Sequence, residues 1–503
     1  MAGFDIGTSS AKVLIVSSEG KVLASSAAPV TARTPKPGQL EEMPDEWWSA
    51  LVRALEAARA SLPGGTEIEA IGLSGHMSGL VLLDRDQRPI MPCILLADTR
   101  GAEEAAALDN GIRLKITEQT GNCPSTAFTL AKLLWVRRHE TRLFGKTAWA
   151  VSAKDYVLCR LTGNVSTEPT DAGNYLLLDR SATGWDARLI ESLGLPPGIF
   201  PPLRLPSQKA GELTARAAAE TGLPAGIPVV AGGADMACTA VGSGTLSEGD
   251  AAMSLGTASP LIVPTREIDR ALIGKLTFHP HALTGSRYAL ASILSGGRSY
   301  QWLKGLLREA GAADVDFQAL DGHAGRGAPG SGGVLFLPFL TGTGSPDWRS
   351  SGRAAWVGLG AETALPEIAR AVLEGVAYNC RECIELCRRQ GKQISRIVAS
   401  GGGAASGLWL RILADVTGLS VQALETREAS ALGAAVLAGV GSGAFADIPE
   451  AVSGMVRLKE PIQPDARRGE LYGQLYQGYL LAKGQLAGVD DALQAVRGGG
   501  LRG

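Results

Sequence analysis

A single carboxylate follows two glycines where an apolar run gives way to a stretch of small residues. Residues 227–231 indicate a buried strand, Gly232 and Gly233 come next, and Asp235 opens a predicted helix. A lone Asp at such a junction can reach into a cleft and accept a proton from a substrate. It can equally cap its own helix. From this stretch alone, both interpretations of Asp235 are open.

A second acidic residue stands near the N-terminus, just before a turn rich in glycine and hydroxyl groups. Asp5 precedes a Gly-Thr-Ser-Ser turn at residues 7–10, which is predicted to join two antiparallel strands. That order excludes the dinucleotide fingerprint and the Walker A loop, since both lead from a strand into a helix. The backbone and hydroxyls of such a hairpin can hold phosphate, and Asp5 would suit Mg²⁺ held partly through water. An ordinary polar hairpin is the alternative.

A similar turn recurs about half the chain later. Gly256 and Thr257 again stand between two apolar runs. Chance explains four small residues easily, but not their recurrence at corresponding places in two successive lobes. We therefore predict two related α/β lobes, residues 1–244 and 245–490, each offering a hairpin to one phosphate chain, with a Gly-rich tail at 491–503. The Gly-Ser-Gly-Thr stretch at 242–245 is predicted to be the hinge.

Two polar segments in the first half could contact a substrate. His76, Met77 and Ser78 lie between glycines after a predicted buried strand and could form one wall of a site, although a satisfied loop histidine is the commoner fate of such a residue. Asp98 and Arg100 offer an acceptor and a forked donor for a polyhydroxylated ligand, or they form a structural ion pair. Both interpretations are open. The polar residues 170–173 are predicted as a turn.

A glycine triplet at 401–403 stands between a predicted buried strand and a predicted helix. Three glycines at the start of a helix let the backbone pack against a flat base or a phosphate. Loop flexibility alone would be an odd reason for them at such a place. The triplet therefore indicates a binding function.

Composition narrows the class of protein. With 48 Lys+Arg, 50 Asp+Glu and a net charge of −2 in 503 residues, the charges form no patches suited to nucleic acid or an anionic membrane. A small ligand fits better, and the absence of a long apolar run predicts a soluble, cytoplasmic protein. Seven scattered cysteines argue against a disulfide framework. Cys380, Cys383 and Cys387 share one face of a predicted helix, where burial is favoured over zinc binding.

Together these stretches resemble the FGGY carbohydrate kinases, which have the two-lobed actin/hexokinase/Hsp70-like ATPase fold of duplicated ribonuclease H-like domains and an interlobe cleft. Residues 129–139 are similar to the first signature of that family, and residues 358–375 resemble the second. Within the family the chain looks most like the xylulose kinases. The resemblance implies ATP-dependent phosphorylation of a primary hydroxyl of a ketose, with ATP and Mg²⁺, and it allows a homodimer.

The resemblance also implies residue roles. Asp235 matches the general base, and Asp5 matches the Mg²⁺-associated carboxylate. The residues that match ATP contacts are Thr8, Ser9, Ser10 and Lys12 in the first phosphate loop, Gly256 and Thr257 in the second, Gly297 and Gln301 at the ribose and phosphates, and Gly402, Gly403 and Ser406 at the adenosine. The residues that fall around the sugar are His76, Met77, Ser78, Asp98, Arg100 and Met236.

The chain departs from the xylulose kinases mainly at the sugar. They carry Gln-Met-His where this chain has His76-Met77-Ser78, and Trp-Asn-Asp where it has Leu96-Ala97-Asp98. The phosphoryl-transfer residues are kept, so D-xylulose is preferred, and another ketose or a polyol such as ribulose, ribitol or an erythritol-type compound is the alternative. A non-catalytic sugar or nucleotide sensor on the same fold is the alternative from a different class.

Overall fold

The computed structural model describes residues 1–312 and 315–499. Its two largest sheets stand at the centres of two lobes. The elements of the first lobe are β1 (Ala2–Ile6), β2 (Ser10–Val16), β3 (Val22–Pro29), β4 (Glu41–Glu42), α1 (Pro44–Ala60), β5 (Ile71–Gly75), β6 (Val81–Leu83), β7 (Cys93–Ile94), α2 (Ala102–Ala106), α3 (Asn110–Thr120), α4 (Thr129–His139), α5 (Thr141–Phe144), β8 (Trp149–Val151), α6 (Ala153–Thr162), α7 (Pro169–Ala172), α8 (Ala187–Ser192), β9 (Lys209–Glu212), α9 (Ala215–Thr221), β10 (Pro228–Val230), β11 (Gly233–Ala234) and α10 (Asp235–Gly242).

The second half of the chain forms a second set of elements. They are β12 (Gly249–Ser254), β13 (Leu261–Thr265), β14 (Thr277–Pro280), β15 (Arg287–Ala291), α11 (Gly297–Glu309), α12 (Phe317–Arg326), β16 (Leu335–Leu337), β17 (Ala355–Val357), α13 (Leu365–Arg389), β18 (Ile394–Ser400), α14 (Gly407–Thr417), β19 (Ser420–Ala423), α15 (Ala429–Gly441), α16 (Ile448–Met455) and α17 (Ala466–Gly499). Short 3₁₀ turns occur at Gly173–Tyr175, Pro197–Ile199, Arg270–Leu272, Ser331–Gly333 and Gly402–Ala405.

The two sheets share one strand order, which confirms the predicted duplication. The first sheet runs β3-β2-β1-β5-β10, and the second runs β15-β13-β12-β18-β19. In each sheet, neighbouring strands among the first three run antiparallel. The last two strands run parallel to the third strand, which is β1 in the first sheet and β12 in the second. The edge strands differ, because β9 extends the first sheet beside β10 and β14 extends the second beside β15.

The register of the first sheet brings the candidate residues to one edge. β1 runs antiparallel to β2, with Asp5 opposite Lys12, and parallel to β5. β11 also runs parallel to β5, and Ala234 lies opposite Gly75. Because parallel strands end at the same edge, the turn after β1, the segment after β5 and Asp235 all leave the sheet together.

Local sequence explains where the helices begin. α1 starts with Pro44, with two acidic residues in its first turn and Arg59 in its last, which suits the helix dipole. At α6 the hydroxyl of Ser152 accepts from the N–H of Asp155, whose carboxylate accepts in return from the N–H of Ser152. Such a reciprocal capping box satisfies two otherwise unpaired donors.

Helix α15 returns from the second half of the chain and packs against β1, β5 and α10 of the first lobe. A Cβ on Gly242 would lie 1.9 Å from the carbonyl oxygen of Ala429, and one on Gly433 would lie 1.9 Å from that of Cys238. Gly242 ends a helix and permits close helix packing, and Ser243 and Thr245 after it are buried. The hinge at 242–245 stays a prediction.

The C-terminal helix differs from the sequence prediction. α17 packs against the second-lobe core through Tyr472, Tyr476 and Tyr479 and continues to Gly499. Residues 491–499 therefore belong to a helix, while the rest of the predicted tail, 500–503, lies outside the described residues. In the part of the chain that the structure describes, no helix has the length and apolarity needed to span a membrane.

Candidate functional site

A cavity of about 730 Å³ lies in the second lobe, between the β12–β13 hairpin, α11, α12 and the loop before α14. Its volume is within the range of small-molecule and nucleotide sites. The second-lobe residues that the sequence predicts at ATP all line this cavity, namely Gly256, Thr257, Gly297, Gln301, Gly402, Gly403 and Ser406. Three separate stretches of sequence thus meet in one place.

Glycine is required where the hairpin meets α11. The N–H of Gly297 donates to the carbonyl of Gly256 at 2.8 Å, and a Cβ on Gly297 would lie 2.5 Å from that oxygen. The N–H of Arg298 likewise donates to the carbonyl of Thr257 at 3.0 Å. These contacts fix the hairpin against the N-terminus of α11, where helix geometry favours an anion such as phosphate.

The glycine triplet forms the opposite side of the cavity. Residues Gly402–Ala405 form a 3₁₀ turn, and the α-helix begins only at Gly407, where Ser406 Oγ accepts from the N–H of Trp409. A Cβ on Gly403 would lie 2.5 Å from the ring of Trp409, whereas one on Gly402 would meet nothing within 4 Å. Gly403 therefore permits packing within the protein, and Gly402 leaves room in the cavity itself.

Three aromatic residues of this cavity were missed from the sequence. The rings of Tyr300 and Phe317 stack with centroids 6.1 Å apart, and Trp409 lies beside them. Among the described residues Trp409 Nε1 is buried without a hydrogen-bond partner. Flat rings and an unpaired N–H suit an aromatic base. These residues come from three different helices, so no local motif indicated them.

The two candidate carboxylates stand at the edge of the first sheet. Asp5 at the end of β1 is buried and accepts a hydrogen bond from Ser430 Oγ at 3.0 Å. Asp235 is the first residue of α10, it is partly exposed, and its Oδ1 accepts from the N–H of Met236 at 2.8 Å. The N-cap position belongs to Ala234, so Asp235 is not the capping residue.

Burial shifts both carboxylates towards the neutral form. Burial, and then the neighbouring charge of Asp5, raises the pKa of Asp235 to about 7 against the opposing backbone N–H groups. Burial also raises the pKa of Asp5, chiefly opposed by Lys12. A carboxylate whose pKa lies near neutral pH is well matched to accepting a proton in a reaction.

Lys12 links the first hairpin to the second half of the chain. Its Nζ lies 2.7 Å from Glu428 Oε2, and the adjacent Arg427 lines the nucleotide-sized cavity. Although burial lowers the pKa of Lys12, Asp5 and Glu428 together raise it above its usual value. Thr8 and Ser9 are exposed at the tip of the first hairpin. The predicted phosphate loop thus stands open to solvent beside Asp5.

The acidic residues at this edge suit Mg²⁺ only with other ligands. No cluster of three or more His, Cys, Asp or Glu side chains within residues 1–312 and 315–499 could hold a metal ion. Mg²⁺ is usually bound through one or two carboxylates together with phosphate oxygens and water. Asp5 and Asp235 fit that arrangement. The cysteines at 380, 383 and 387 are buried in α13 and belong to no metal cluster there.

A buried ionic cluster lies behind the segment that precedes Asp235. Lys154 Nζ is 2.6 Å from Asp155 Oδ1, 3.2 Å from Asp171 Oδ2 and 3.5 Å from Glu168 Oε1. It also donates to the carbonyl of Ala231 at 3.2 Å. Burial raises the pKa of Asp171 and of Glu168, opposed mainly by Lys154. One ammonium group thus faces three carboxylates inside the first lobe.

Thr170 connects this cluster to the base. Its Oγ1 donates to Glu168 Oε1 at 2.8 Å and accepts from the N–H of Ala234 at 2.8 Å. The segment before Asp235 is therefore held at Ala231 by Lys154 and at Ala234 by Thr170. From the sequence, residues 170–173 were predicted as a turn, but Pro169–Ala172 is helical, with a Glu168 cap that makes this contact possible.

Met77, Ser78 and Met236 lie at the seam between the lobes. Both methionines belong to one apolar cluster with Tyr288 of the second lobe. Ser78 has a φ of 64°, and its Oγ donates to Asn174 Oδ1 at 3.2 Å. The predicted sugar wall is thus completed by Asn174 and Tyr288, which were missed because they lie far away in the sequence.

Several buried polar atoms at this seam lack partners among the described residues. They are Asp171 Oδ1, Tyr175 Oη, His279 Nδ1 and Tyr288 Oη. Burial, and then the charge of Asp235, raises the pKa of Tyr288. Buried donors and acceptors without partners are costly, so a ligand that offers several hydroxyls would be favoured here.

His76 is buried at the edge of the first-lobe core, and a sugar contact for this residue stays a prediction. Its ring is 4% exposed and meets Trp47 edge-on at 5.3 Å, within the first-lobe core. Its Nε2 is 3.8 Å from Glu42 Oε2, and neither ring nitrogen has a hydrogen-bond partner among the described residues. Burial lowers the pKa of His76 to about 4, so the ring is neutral. Since neither ring nitrogen has a partner among the described residues, the alternative of a satisfied loop histidine is wrong.

Asp98 and Arg100 form the ion pair that was one of their two interpretations. Arg100 Nη2 lies 2.7 Å from Asp98 Oδ2 and 2.7 Å from Glu41 Oε1, and its guanidinium stands over the Trp135 ring. Asp98 Oδ2 also accepts from the N–H of Leu40. These contacts engage both side chains within the first lobe. A sugar contact for either residue stays a prediction.

Comparison with known proteins gives consistent matches along almost the whole chain. The N-terminal domain of the FGGY family of carbohydrate kinases matches residues 1–242, and its C-terminal domain matches residues 251–442. The chain is 34% identical over 496 residues to a xylulose kinase from Bacillus subtilis (strain 168), covering 98% of this chain and 99% of the relative. It is 31% identical to a glycerol kinase from Thermus brockianus, covering 96% and 98%.

A solved structure supports the same conclusion. The crystal structure of a xyloylose kinase from Brucella ovis is similar with a TM-score of 0.87 at 32% identity, covering 97% of this chain and 99% of that one. These matches confirm the predicted fold class and the predicted family resemblance.

Proposed function

Since the chain belongs to the FGGY family of carbohydrate kinases, we propose that it transfers the γ-phosphoryl group of ATP to a primary hydroxyl of D-xylulose. The product is xylulose 5-phosphate. We assign sugar binding and the base to residues 1–244, and ATP binding to residues 245–490. The xylulose kinase relative supports the choice of sugar.

The observation on which this proposal depends is the relation between the second-lobe cavity and Asp235. The cavity of about 730 Å³ gathers the predicted ATP residues and three aromatic rings. Asp235, whose pKa burial raises to about 7, stands on the first lobe beside Asp5. A nucleotide in the cavity with its phosphates directed at Asp5 would place the terminal phosphate between the two carboxylates.

Asp235 acts as the general base in this proposal. Its Oδ1 is engaged by the N–H of Met236 at 2.8 Å, which leaves Oδ2 to accept the proton of the sugar hydroxyl. The hydroxyl oxygen then attacks the γ-phosphorus in line. Phosphoryl transfer has a loose transition state, so most of the rate enhancement comes from positioning and charge stabilisation.

The two hairpins position the phosphates. The exposed hydroxyls of Thr8 and Ser9 and the backbone around Thr257 offer hydrogen bonds from opposite lobes. Lys12, which Asp5 and Glu428 keep protonated, adds a fixed positive charge behind them. Mg²⁺, held near Asp5 partly through water, would supply neutralisation of the phosphate charges.

In this proposal the residues at the seam between the lobes determine which sugar is bound. Ser78 stands where the resemblance leads one to expect a histidine, and its hydroxyl is directed to Asn174. A shorter side chain there alters the hydrogen bonds available to the ligand, and a glycerol kinase is 31% identical to this chain. A different ketose or a polyol is therefore the second candidate substrate.

A coupled ADP-release assay tests the proposal. The acceptors compared are D-xylulose, D-ribulose, ribitol, glycerol and a ketohexose, each with ATP and Mg²⁺. We expect D-xylulose to give the highest kcat/KM. The variant Asp235→Asn should lower kcat by about 10²- to 10⁴-fold, the usual value of general-base assistance. The exposed Asp86, whose side chain forms no hydrogen bond or ion pair with the described residues, provides the control Asp86→Asn.

The outcomes separate the alternatives. If a polyol gave a higher kcat/KM than D-xylulose, the proposed substrate would change but the proposed kinase reaction would stand. Ligand binding without ADP release from any acceptor would indicate a non-catalytic sensor. Near-normal turnover of Asp235→Asn would remove Asp235 from the role of base.

A further inference from the structure

A second cavity, of about 370 Å³, lies at the seam between the lobes and shares no lining residue with the nucleotide-sized cavity. Arg180 and Arg204 line it from the first lobe, and Arg266 and Arg287 line it from the second. Neither Asp nor Glu occurs among its described lining residues. In a chain with 48 Lys+Arg and 50 Asp+Glu, this is a local concentration of positive charge.

The four guanidinium groups are poorly neutralised. None of them forms an ion pair within residues 1–312 and 315–499. Other arginines in the same part of the chain do form ion pairs. Arg204 Nε is buried and has no hydrogen-bond partner in that part of the chain. Arg287 donates to the carbonyl of Arg180, and burial followed by the charge of Arg180 lowers the pKa of Arg287. Unpaired buried donors and adjacent like charges both cost free energy that a bound anion would recover.

Neighbouring acidic side chains form no ion pair with these arginines in the part of the chain that the structure describes. Asp179 accepts from Ser181 Oγ at 2.6 Å within its own turn, and its charge only partly opposes the lowering of the Arg287 pKa. Glu248 accepts from the backbone N–H of Arg266 at 3.3 Å, which leaves the guanidinium of that residue free of it. Burial lowers the pKa of His281 to about 4, so this lining residue adds no charge. The positive charge of the cavity therefore comes from the four arginines.

We propose that this cavity binds a small anion that contains a phosphoryl group with two negative charges, and that the anion bridges the two lobes. Guanidinium groups match phosphate oxygens with paired hydrogen bonds, and the cavity has room for a sugar phosphate. Because each lobe contributes two arginines, occupancy favours the arrangement of the lobes seen in this structure. The source of the phosphoryl group is either inorganic phosphate or a sugar phosphate.

Isothermal titration with inorganic phosphate and with ribose 5-phosphate, in low salt without Mg²⁺, ATP or sugar acceptor, tests the proposal. The decisive variant is Arg180→Gln/Arg266→Gln, which removes one exposed arginine from each lobe and leaves the half-buried Arg204 and Arg287 in place. The matched control is Arg53→Gln/Arg142→Gln, which removes two exposed arginines outside the cavity. We expect the wild type and the control to bind equally, and Arg180→Gln/Arg266→Gln to bind at least about tenfold more weakly.

Equal affinity for both probes would support recognition of the phosphoryl group alone, and a preference for ribose 5-phosphate would support a contribution from the sugar. Binding of equal strength in Arg180→Gln/Arg266→Gln would overturn the proposal, because the anion would then sit at the phosphate hairpins. Absence of binding to the wild type at millimolar concentration would overturn it too. Since no phosphoryl transfer occurs in these titrations, the result is independent of the proposed kinase activity.

Discussion

The hydroxyl of Thr170 accepts a hydrogen bond from the backbone N–H of Ala234 at 2.8 Å, one residue before the carboxylate of Asp235. The same hydroxyl donates to Glu168 of the Lys154 cluster. Thr170 therefore holds the segment that carries Asp235 through its backbone. The position of Asp235 depends on a buried polar network that lies behind it.

Replacing this hydroxyl should affect turnover more than nucleotide binding. Thr170→Val removes both hydrogen bonds of the hydroxyl. The loss of the contact to Ala234, worth about 1–1.5 kcal/mol, should lower kcat about tenfold. The KM for ATP should stay within about twofold, because the nucleotide cavity is in the other lobe. Steady-state kinetics measure both values. Thr31→Val, at an exposed threonine, is the control, and an unchanged kcat in Thr170→Val would contradict a positioning role.

The pH dependence of the reaction should report Asp235. Burial and the charge of Asp5 raise the pKa of Asp235 to about 7 in the free protein. A general base must be deprotonated, so kcat/KM for the sugar should rise with pH and level off above about pH 7. A pH–rate profile from about pH 5.5 to 9 measures this. A profile that is flat between pH 6 and 8 would disagree with the raised pKa.

The same shift should make stability depend on pH in the opposite sense. The folded pKa of Asp235 is raised from 3.8 to about 7, so the native state binds a proton more tightly than the unfolded chain does. Wild-type stability should therefore fall as pH rises from about 4 through 7, and Asp235→Asn, which stays neutral, should escape that loss.

Thermal or denaturant unfolding at two pH values measures this difference. At pH 8 we expect Asp235→Asn to be more stable than the wild type by about 1–2 kcal/mol, a value reduced for the partial exposure of the carboxylate. At pH 4 the two proteins should be nearly equal. Asp86→Asn should match the wild type at both pH values, and a variant less stable than wild type at pH 8 would show that the carboxylate is stabilised in its charged form.

Alanine substitutions at the adjacent Gly402 and Gly403 should affect nucleotide binding and stability differently. A Cβ on Gly402 meets nothing within 4 Å, so Gly402→Ala should fold normally while its methyl group occupies cavity space and raises the KM for ATP. A Cβ on Gly403 would lie 2.5 Å from the Trp409 ring, so Gly403→Ala should also lower the melting temperature, through overpacking that costs about 1–3 kcal/mol. Melting curves with and without ATP distinguish the two. Equal melting temperatures for the two variants would contradict the expected difference in stability.

The sequence by itself determined the duplicated architecture, and it indicated the carboxylates and hairpins on which the proposed reaction depends. The hairpins at Gly7 and Gly256, and the Asp that follows Gly232 and Gly233, are local patterns, because a tight turn or a close backbone approach imposes glycine within a few residues. Such patterns are visible without the fold. The cavity then brought together nucleotide residues that the sequence had indicated one stretch at a time.

Only the tertiary structure decided how those groups are supported and which way the ambiguous ones face. The ring of His76 packs against Trp47 in the core, and Gly242 lies against α15, where it permits close helix packing. The Lys154 cluster and the Thr170 contact join residues more than sixty positions from Asp235. Burial and long-range pairing set the pKa of Asp235 as well as its position. These depend on distances through space, for which a single sequence has no local signal.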